Sequence, residues 1–227
     1  MTQVATSPKT ETTPAARASR FWPAALFGAV WGLGYPTGTF LMFAGGGGEF
    51  DVYGASPEEM LGYVTQNTTT TFWAGQLIIF TAFAFLWFTG VVRTRIAAVN
   101  APSSSHLAAL LLMGGGAFVQ AVVAGSLLAS ISTADIGSPD ATAAMILLPW
   151  GGVLGVQGIG LAAFLLAVAF ASIRHRAVPR WLGWPAAVLA AAFLVLPDTT
   201  IPVILTYLWA MVAGVTLAVQ GRPQTTA

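Results

Sequence analysis

The sequence contains no cysteine and very few charged side chains. None of its 227 residues is Cys, and only 7% are Asp, Glu, Lys or Arg, against about 25% in a typical soluble domain. The absence of cysteine excludes disulfides, thiol nucleophiles and thiolate-bound metals. The shortage of charge excludes a water-exposed surface over the whole chain, because soluble domains cover themselves with charged residues.

Long apolar runs contain no Asp, Glu, Lys, Arg or His, and each indicates a helix that crosses a bilayer, for which about 20 residues are needed. The six predicted spans are residues 21–44, 72–92, 107–130, 151–173, 181–196 and 201–220. Proton relays and ion-coupled carriers place ionisable groups at membrane depth, so these mechanisms are not expected. His106 and His175 fall at span ends and cannot pair across the bilayer as haem ligands.

The charged residues alternate by sign between the spans. The basic residues are Lys9, Arg17, Arg20, Arg93, Arg95, Arg174, Arg176, Arg180 and Arg222. The acidic residues other than Glu11 fall in the intervening segments: Glu49, Asp51, Glu58, Glu59, Asp135, Asp140 and Asp198. Because cytoplasmic loops carry the excess of Lys and Arg, the pattern predicts an even number of crossings with both termini inside.

These observations predict an all-α polytopic integral membrane protein, a six-helix transmembrane bundle in the inner (plasma) membrane. Residues 1–19 are expected to form a disordered cytoplasmic tail, 20–220 the transmembrane domain, and 221–227 a second cytoplasmic tail. The fifth span has only about 16 residues, so a re-entrant pair formed by the last two segments is the alternative. A net charge of +1 without a basic stripe gives no case for nucleic acid.

Two segments between the spans carry helix start signals. Ser56-Pro57-Glu58-Glu59 has an N-cap serine, a proline at the first helical position and a glutamate three residues after the cap. Met60, Leu61 and Val64 then share one face, which predicts a short amphipathic helix. Ser138-Pro139-Asp140 repeats the signal before an apolar stretch that ends at Pro149.

Gln76, Gln120 and Gln157 are the most informative polar residues, because one falls on each of the second, third and fourth spans. Hydrocarbon cannot satisfy an amide, so we expect the three to face the bundle interior. They serve either as hydrogen-bonding links between helices or as a polar patch that lines a cavity for a small molecule or lipid headgroup.

Glycine pairs and a proline shape the spans. Gly28/Gly32, Gly34/Gly38 and Gly151/Gly155 have the spacing that permits close helix approach. They predict tight packing within the chain or, alternatively, a homo-oligomer face. Pro36 is expected to kink the first span, because it removes a backbone hydrogen bond.

The segment Val178-Pro179-Arg180-Trp181-Leu182-Gly183-Trp184 resembles the Pro-Arg-Trp-Leu opening of a late span in a family of small multi-spanning bacterial membrane proteins of unknown function. Length, the Ser-Pro-Glu-Glu helix and the Gly-rich third span are also similar. In that family the third span carries an Arg and a Glu roughly where this chain has Ala117 and Gln120. The Ala/Gly/Trp-rich composition is similar to that of actinobacterial membrane proteins. The resemblance implies no activity.

No catalytic motif of the G-x-S-x-G, H-E-x-x-H or P-loop type is present. We therefore expect no catalytic residue, no cofactor and no metal site. The sequence favours a non-enzymatic bundle that binds membrane lipids or a membrane-protein partner. The alternatives are a carrier or channel for a neutral or apolar small molecule, favoured by the glutamines and Pro36, and a membrane-embedded enzyme.

Overall fold

The structure, a computed structural model, describes residues 21–44, 54–99, 120–148, 154–196 and 200–222. Every regular element within these ranges is helical, which confirms the all-α prediction. A short 3₁₀ turn, Pro23–Leu26, precedes the first α-helix. The helices are α1 Phe27–Ala44, α2 Pro57–Gln66, α3 Thr68–Ala98, α4 whose described part is 120–135, α5 Pro139–Leu148, α6 Leu154–His175, α7 Arg180–Val195 and α8 Thr200–Gln220.

Within the described ranges, three helical segments are long and apolar enough to cross a membrane: Thr68–Ala98, Gly158–His175 and Ile201–Gln220. They fall on the second, fourth and sixth predicted spans. Helix α7 is apolar but has only 16 residues. These lengths and compositions are those of a membrane protein.

Helix α1 packs between α3 and α8 through its glycines. A Cβ added to Gly32 would meet the carbonyl oxygen of Tyr207 and lie 2.9 Å from the backbone nitrogen of Met211, both in α8. On the opposite helix, a Cβ at Gly214 would lie 2.8 Å from the Ala25 carbonyl oxygen. Glycine therefore lets the two backbones touch.

The other described glycines of α1 also face neighbours within the chain. A Cβ at Gly28 would lie 2.7 Å from the Phe88 ring, and one at Gly38 would lie 3.0 Å from Ile78, both in α3. The close approach predicted from the glycine spacing on α1 is thus packing within one chain. Gly151 lies outside the described residues, and the surroundings of Gly155 lie outside them as well.

Pro36 lies inside α1, which continues as one helix from Phe27 to Ala44. Proline has no N–H, so the carbonyl four residues earlier, that of Gly32, loses its helical donor. The hydroxyl of the next residue, Thr37, donates to Leu33 O at 2.7 Å, which is a different carbonyl from the one that Pro36 leaves without a helical donor.

Helix α2 begins as the sequence predicts. The backbone N–H of Glu59 donates to Ser56 Oγ at 3.2 Å, and the N–H of Ser56 donates to Glu59 Oε2 at 2.7 Å, a complete capping box. Met60 and Val64 are buried, and the helix packs against α5. Helix α5 starts at Pro139, also as predicted.

Tyr63 fastens α2 to the end of α1. Its hydroxyl donates to the carbonyl oxygen of Met42. Burial raises the pKa of this hydroxyl above its usual value, because an apolar environment disfavours the phenolate. The group therefore remains a hydrogen-bond donor at neutral pH.

Helices α6 and α7 form a tight hairpin. Ser172 Oγ lies 3.1 Å from Val178 O and 2.9 Å from Pro179 O, to which it donates, and Arg176 turns the chain with φ 56°. The hairpin is joined to α8 by the indole N–H of Trp209, which donates to Leu182 O at 3.0 Å.

Aromatic rings fill the space between α1, α3, α6 and α8. The Trp31 ring centroid lies 4.4 Å from that of Phe85 and 5.3 Å from that of Tyr207. Phe164 of α6 lies 5.4 Å from Phe85 and 6.3 Å from Trp209. Offset and edge-on pairs at these distances add attraction beyond the apolar area they bury.

Charges separate to the two ends of α3. Glu58 and Glu59 lie in the first turn of α2, the helix that precedes α3. Asp140 lies in the first turn of α5, which packs on α2. At the other end are Arg93 and Arg95, and the Arg95 guanidinium contacts the last residues of α8. We call these the acidic end and the basic end.

Candidate functional site

A groove opens at the basic end, between the start of the described chain and the last turns of α3. Its volume is about 330 Å³, at the small end of the roughly 300–1,000 Å³ typical of ligand sites. Seven residues line it: Trp22, Ala24, Leu86, Trp87, Gly90, Val91 and Thr94. We refer to it as the basic-end groove. Its lining is apolar and aromatic apart from Thr94, whose hydroxyl donates to Gly90 O at 2.9 Å.

Gly90 leaves this groove open. A Cβ at this position would meet no heavy atom within 4 Å, apart from its own helix turn. Leu86 and Thr94 lie one turn before and one turn after it on the same helix face. A glycine between larger residues on one helix face makes a notch, and any larger side chain there would fill it.

Trp22 and Trp87 form the two aromatic walls. The backbone N–H of Trp22 donates to Ala218 O of α8 at 2.8 Å, which fixes the chain at this point. Trp87 remains 61% exposed, and its ring lies 5.6 Å from that of Phe27. Indole rings of this kind, apolar with one N–H donor, suit a boundary between apolar and polar surroundings.

Arg95 ties this wall to α8. Its Nη2 donates to Leu217 O at 3.3 Å and to Gly221 O, and its Nη1 donates to Gln220 Oε1 at 3.2 Å. The last carbonyls of a helix have no partner within it, and a cation there is favoured by the helix dipole. The guanidinium carbon also lies 5.9 Å from the centre of the Trp22 ring, within cation–π range.

Gln120 is fully buried, and among the described residues neither its Oε1 nor its Nε2 has a hydrogen-bond partner. Most buried polar side-chain atoms in proteins are paired. Trp31 is in the same condition: its ring is buried and its Nε1 has no described acceptor. Thr71 Oγ1, Arg95 Nε and His175 Nε2 are also buried without a described partner, so Gln120 is distinguished by having both polar atoms of its side chain unpaired.

Gln76 occupies a different environment. It is half-buried. It lies on the face of α3 that also carries large exposed side chains, spaced three or four residues apart along the helix. Those side chains, each more than half exposed, are Trp73, Phe80, Phe83 and Trp87. No hydrogen bond joins Gln76 to Gln120. Gln157 lies in α6, and its side chain is outside the described part.

Residues that could ligate a metal are not clustered in the described ranges. No set of three or more His, Asp or Glu residues there is arranged to hold a metal ion. His175 lies at the end of α6, its ring 5.4 Å from that of Phe170. The site that the described residues do build is an apolar groove with arginines beside it.

The fold and the groove define an all-α protein with helices able to cross a bilayer. The chain matches no known protein family, no curated protein and no solved structure. The similarity of residues 178–184 to small bacterial membrane proteins accordingly stays a resemblance.

The sequence alone did not bring Trp22 and Trp87 into one groove. A local signal was available, because large residues at 86 and 94 surround Gly90 on one helix face. The hydrogen bonds of Arg95 to α8 had no comparable signal, since its partners lie more than a hundred residues away in sequence.

Proposed function

We propose that the chain is a multi-pass protein of a bacterial plasma membrane, with six spans and both termini in the cytoplasm. The separation of charge between the acidic and basic ends supports this orientation, because Lys and Arg concentrate on the cytoplasmic side. The contacts of Trp22 with Ala218, and of Arg95 with Gly221, bring both ends of the described chain to the basic end. A re-entrant α7–α8 pair is the alternative to six spans.

We propose further that the protein is non-enzymatic and binds membrane lipid. The observation that carries this proposal is the basic-end groove, an apolar notch with two tryptophan walls. A groove at the end of a spanning helix lies between apolar and polar surfaces. The acyl chain of a lipid contacts the apolar surface, and its headgroup contacts the polar one. Trp and Tyr are enriched at this depth for the same reason.

Native mass spectrometry of the protein purified in a mild detergent tests the lipid proposal. We expect one retained lipid per chain, which is lost on delipidation and regained when lipid is added back. Thermal stability should follow, because a ligand that binds only the folded state raises stability by mass action. A protein that retains no lipid, and whose stability does not respond to added lipid, contradicts the proposal.

A carrier for a neutral small molecule is the second candidate, and the unpaired amide of Gln120 favours it. A buried amide without partners is suited to receive the polar group of a bound molecule, because pairing removes a desolvation penalty. Uptake of small neutral solutes into protein-containing liposomes distinguishes the two functions. Uptake that is abolished by Gln120→Leu supports the carrier, whereas lipid binding without uptake supports the lipid protein.

A further inference from the structure

We propose that the basic-end groove selects an anionic phospholipid, with an acyl segment against Gly90 and the phosphate beside Arg93. This rests on the proposed lipid-binding function and names the class of lipid. The occupant is a phospholipid of the leaflet next to the basic end.

The two arginines of α3 flank the groove. Arg93 follows Gly90 by three residues and Arg95 follows Val91 by four, and residues three and four apart are neighbours on a helix surface. Successive positions along the groove also follow this spacing, from Leu86 to Gly90 to Thr94. By this spacing, Arg93 and Arg95 lie on either side of the row formed by Leu86, Gly90 and Thr94 on the surface of α3.

The two arginines have different tasks. The Nη groups of Arg95 donate to the carbonyl oxygens of Leu217 and Gly221 and to Gln220 Oε1, and its guanidinium lies by the Trp22 ring, so this residue holds the Trp22 wall in place. Arg93 is exposed, and no acceptor within the described ranges pairs with it. Arg93 is consequently the residue available to a phosphate, which suits a guanidinium because of its planar set of donors.

The surrounding charge favours an anionic headgroup over a zwitterionic one. The acidic side chains of α2 and α5 lie at the opposite end of α3, so none of them neutralises Arg93. Basic pockets at the cytoplasmic ends of spanning helices bind anionic lipids, and each arginine near the surface changes affinity by about fivefold. We expect a preference of that size from Arg93.

The shape of the groove provides a clean steric test. A leucine at Gly90 would fill the notch, and its Cβ would meet no atom within 4 Å. Leucine is also a better helix former than glycine, so the variant should fold. Gly125 of α4 is the matched control, because it is exposed and a Cβ there also meets nothing within 4 Å.

The experiment measures binding of phosphatidylglycerol and of phosphatidylcholine with identical acyl chains to the full-length, delipidated protein by native mass spectrometry. The wild type should bind phosphatidylglycerol about fivefold more tightly. Gly90→Leu should weaken both lipids by tenfold or more, whereas Gly125→Leu should weaken neither. Arg93→Gln should weaken phosphatidylglycerol binding by about fivefold and phosphatidylcholine binding by less, so that the preference is lost, whereas the exposed Arg174→Gln should retain the preference.

Each contrary result has a separate meaning. Absence of binding by either lipid to the wild type overturns the proposed function itself. Equal binding of the two lipids, both abolished by Gly90→Leu, leaves lipid binding in the groove and overturns the anionic selection. Equal effects of the two glycine variants, or a preference that survives Arg93→Gln, overturn the assignment of the site to this groove and this arginine.

Discussion

At the residue scale, Gln120 is the side chain whose chemistry is least satisfied by its surroundings. An amide in an apolar interior loses its bonds to water, and a buried group left unpaired costs about 1–3 kcal/mol. Neither atom of its amide finds a partner among the described residues. A protein retains such a group, despite this penalty, where the group fixes the packing of helices or binds a ligand.

Replacing Gln120 with Leu removes the amide and roughly keeps the volume. We expect the free energy of unfolding to stay level or to rise by up to about 2 kcal/mol, because a desolvation penalty is removed without loss of a described hydrogen bond. Thermal unfolding of the purified variant in detergent measures this. Gln76→Leu is the control, since Gln76 is only half-buried and its replacement should change stability less. A clear loss of stability in Gln120→Leu would show that the amide acts as a link between helices.

At the scale of the element, α2 tests how far a short helix depends on its first turn. Its capping box uses only Ser56 and Glu59. Ser56→Ala removes one of the two reciprocal bonds, and loss of such a cap costs about 1 kcal/mol. We expect faster hydrogen exchange of the α2 amides, while exchange in α3 changes little.

Thr65→Ala is the matched control within the same helix. The Thr65 hydroxyl is exposed and donates only to Leu61 O of its own helix, at 2.8 Å. Its removal should leave exchange of α2 close to that of the wild type. If both variants accelerate exchange equally, the capping box is not what holds the first turn of α2.

Short-range signals in the sequence predicted the ends of several elements. The Ser-Pro starts predicted the beginnings of α2 and α5. Helix α3 is longer than the predicted span 72–92, because the flanking threonines and arginines continue the helical hydrogen bonding without being apolar. Hydropathy detects the part of a helix that suits hydrocarbon, whereas backbone bonding determines where the helix ends.

Pairing of distant elements was beyond those signals. The glycine spacing of α1 predicted a close approach, but nothing in α1 identifies α8 as the helix that approaches Gly32. The residues that line the basic-end groove come from two segments for the same reason. Contacts across long separations depend on the whole set of helices, so they cannot be read from the periodicity of one segment.

At the scale of the whole molecule, the orientation in the membrane is open to a direct test. A reporter that fluoresces only in the cytoplasm should be bright after Ala227 and dark when inserted at Ser138, because basic segments stay inside. The reverse pattern contradicts the orientation.

The chain has no cysteine, so Asp198→Cys gives a single thiol. An impermeant maleimide should label it from outside if α7 and α8 both span.

The packing of α1 against α8 has a consequence for synthesis. Of the described helices, α1 leaves the ribosome first and α8 last, and the two are neighbours. At roughly 5–20 residues per second, α1 waits on the order of ten seconds or more for α8. During that interval the face around Gly32, which packs on α8, has lipid or translocation machinery against it, whereas Gly28 already has Phe88 of α3 beside it. The hydrogen bond of Arg95 to Gly221 O forms only after α8 and Gly221 have been synthesised. A chain truncated before α8 would therefore expose the α1 surface around Gly32 to membrane quality control.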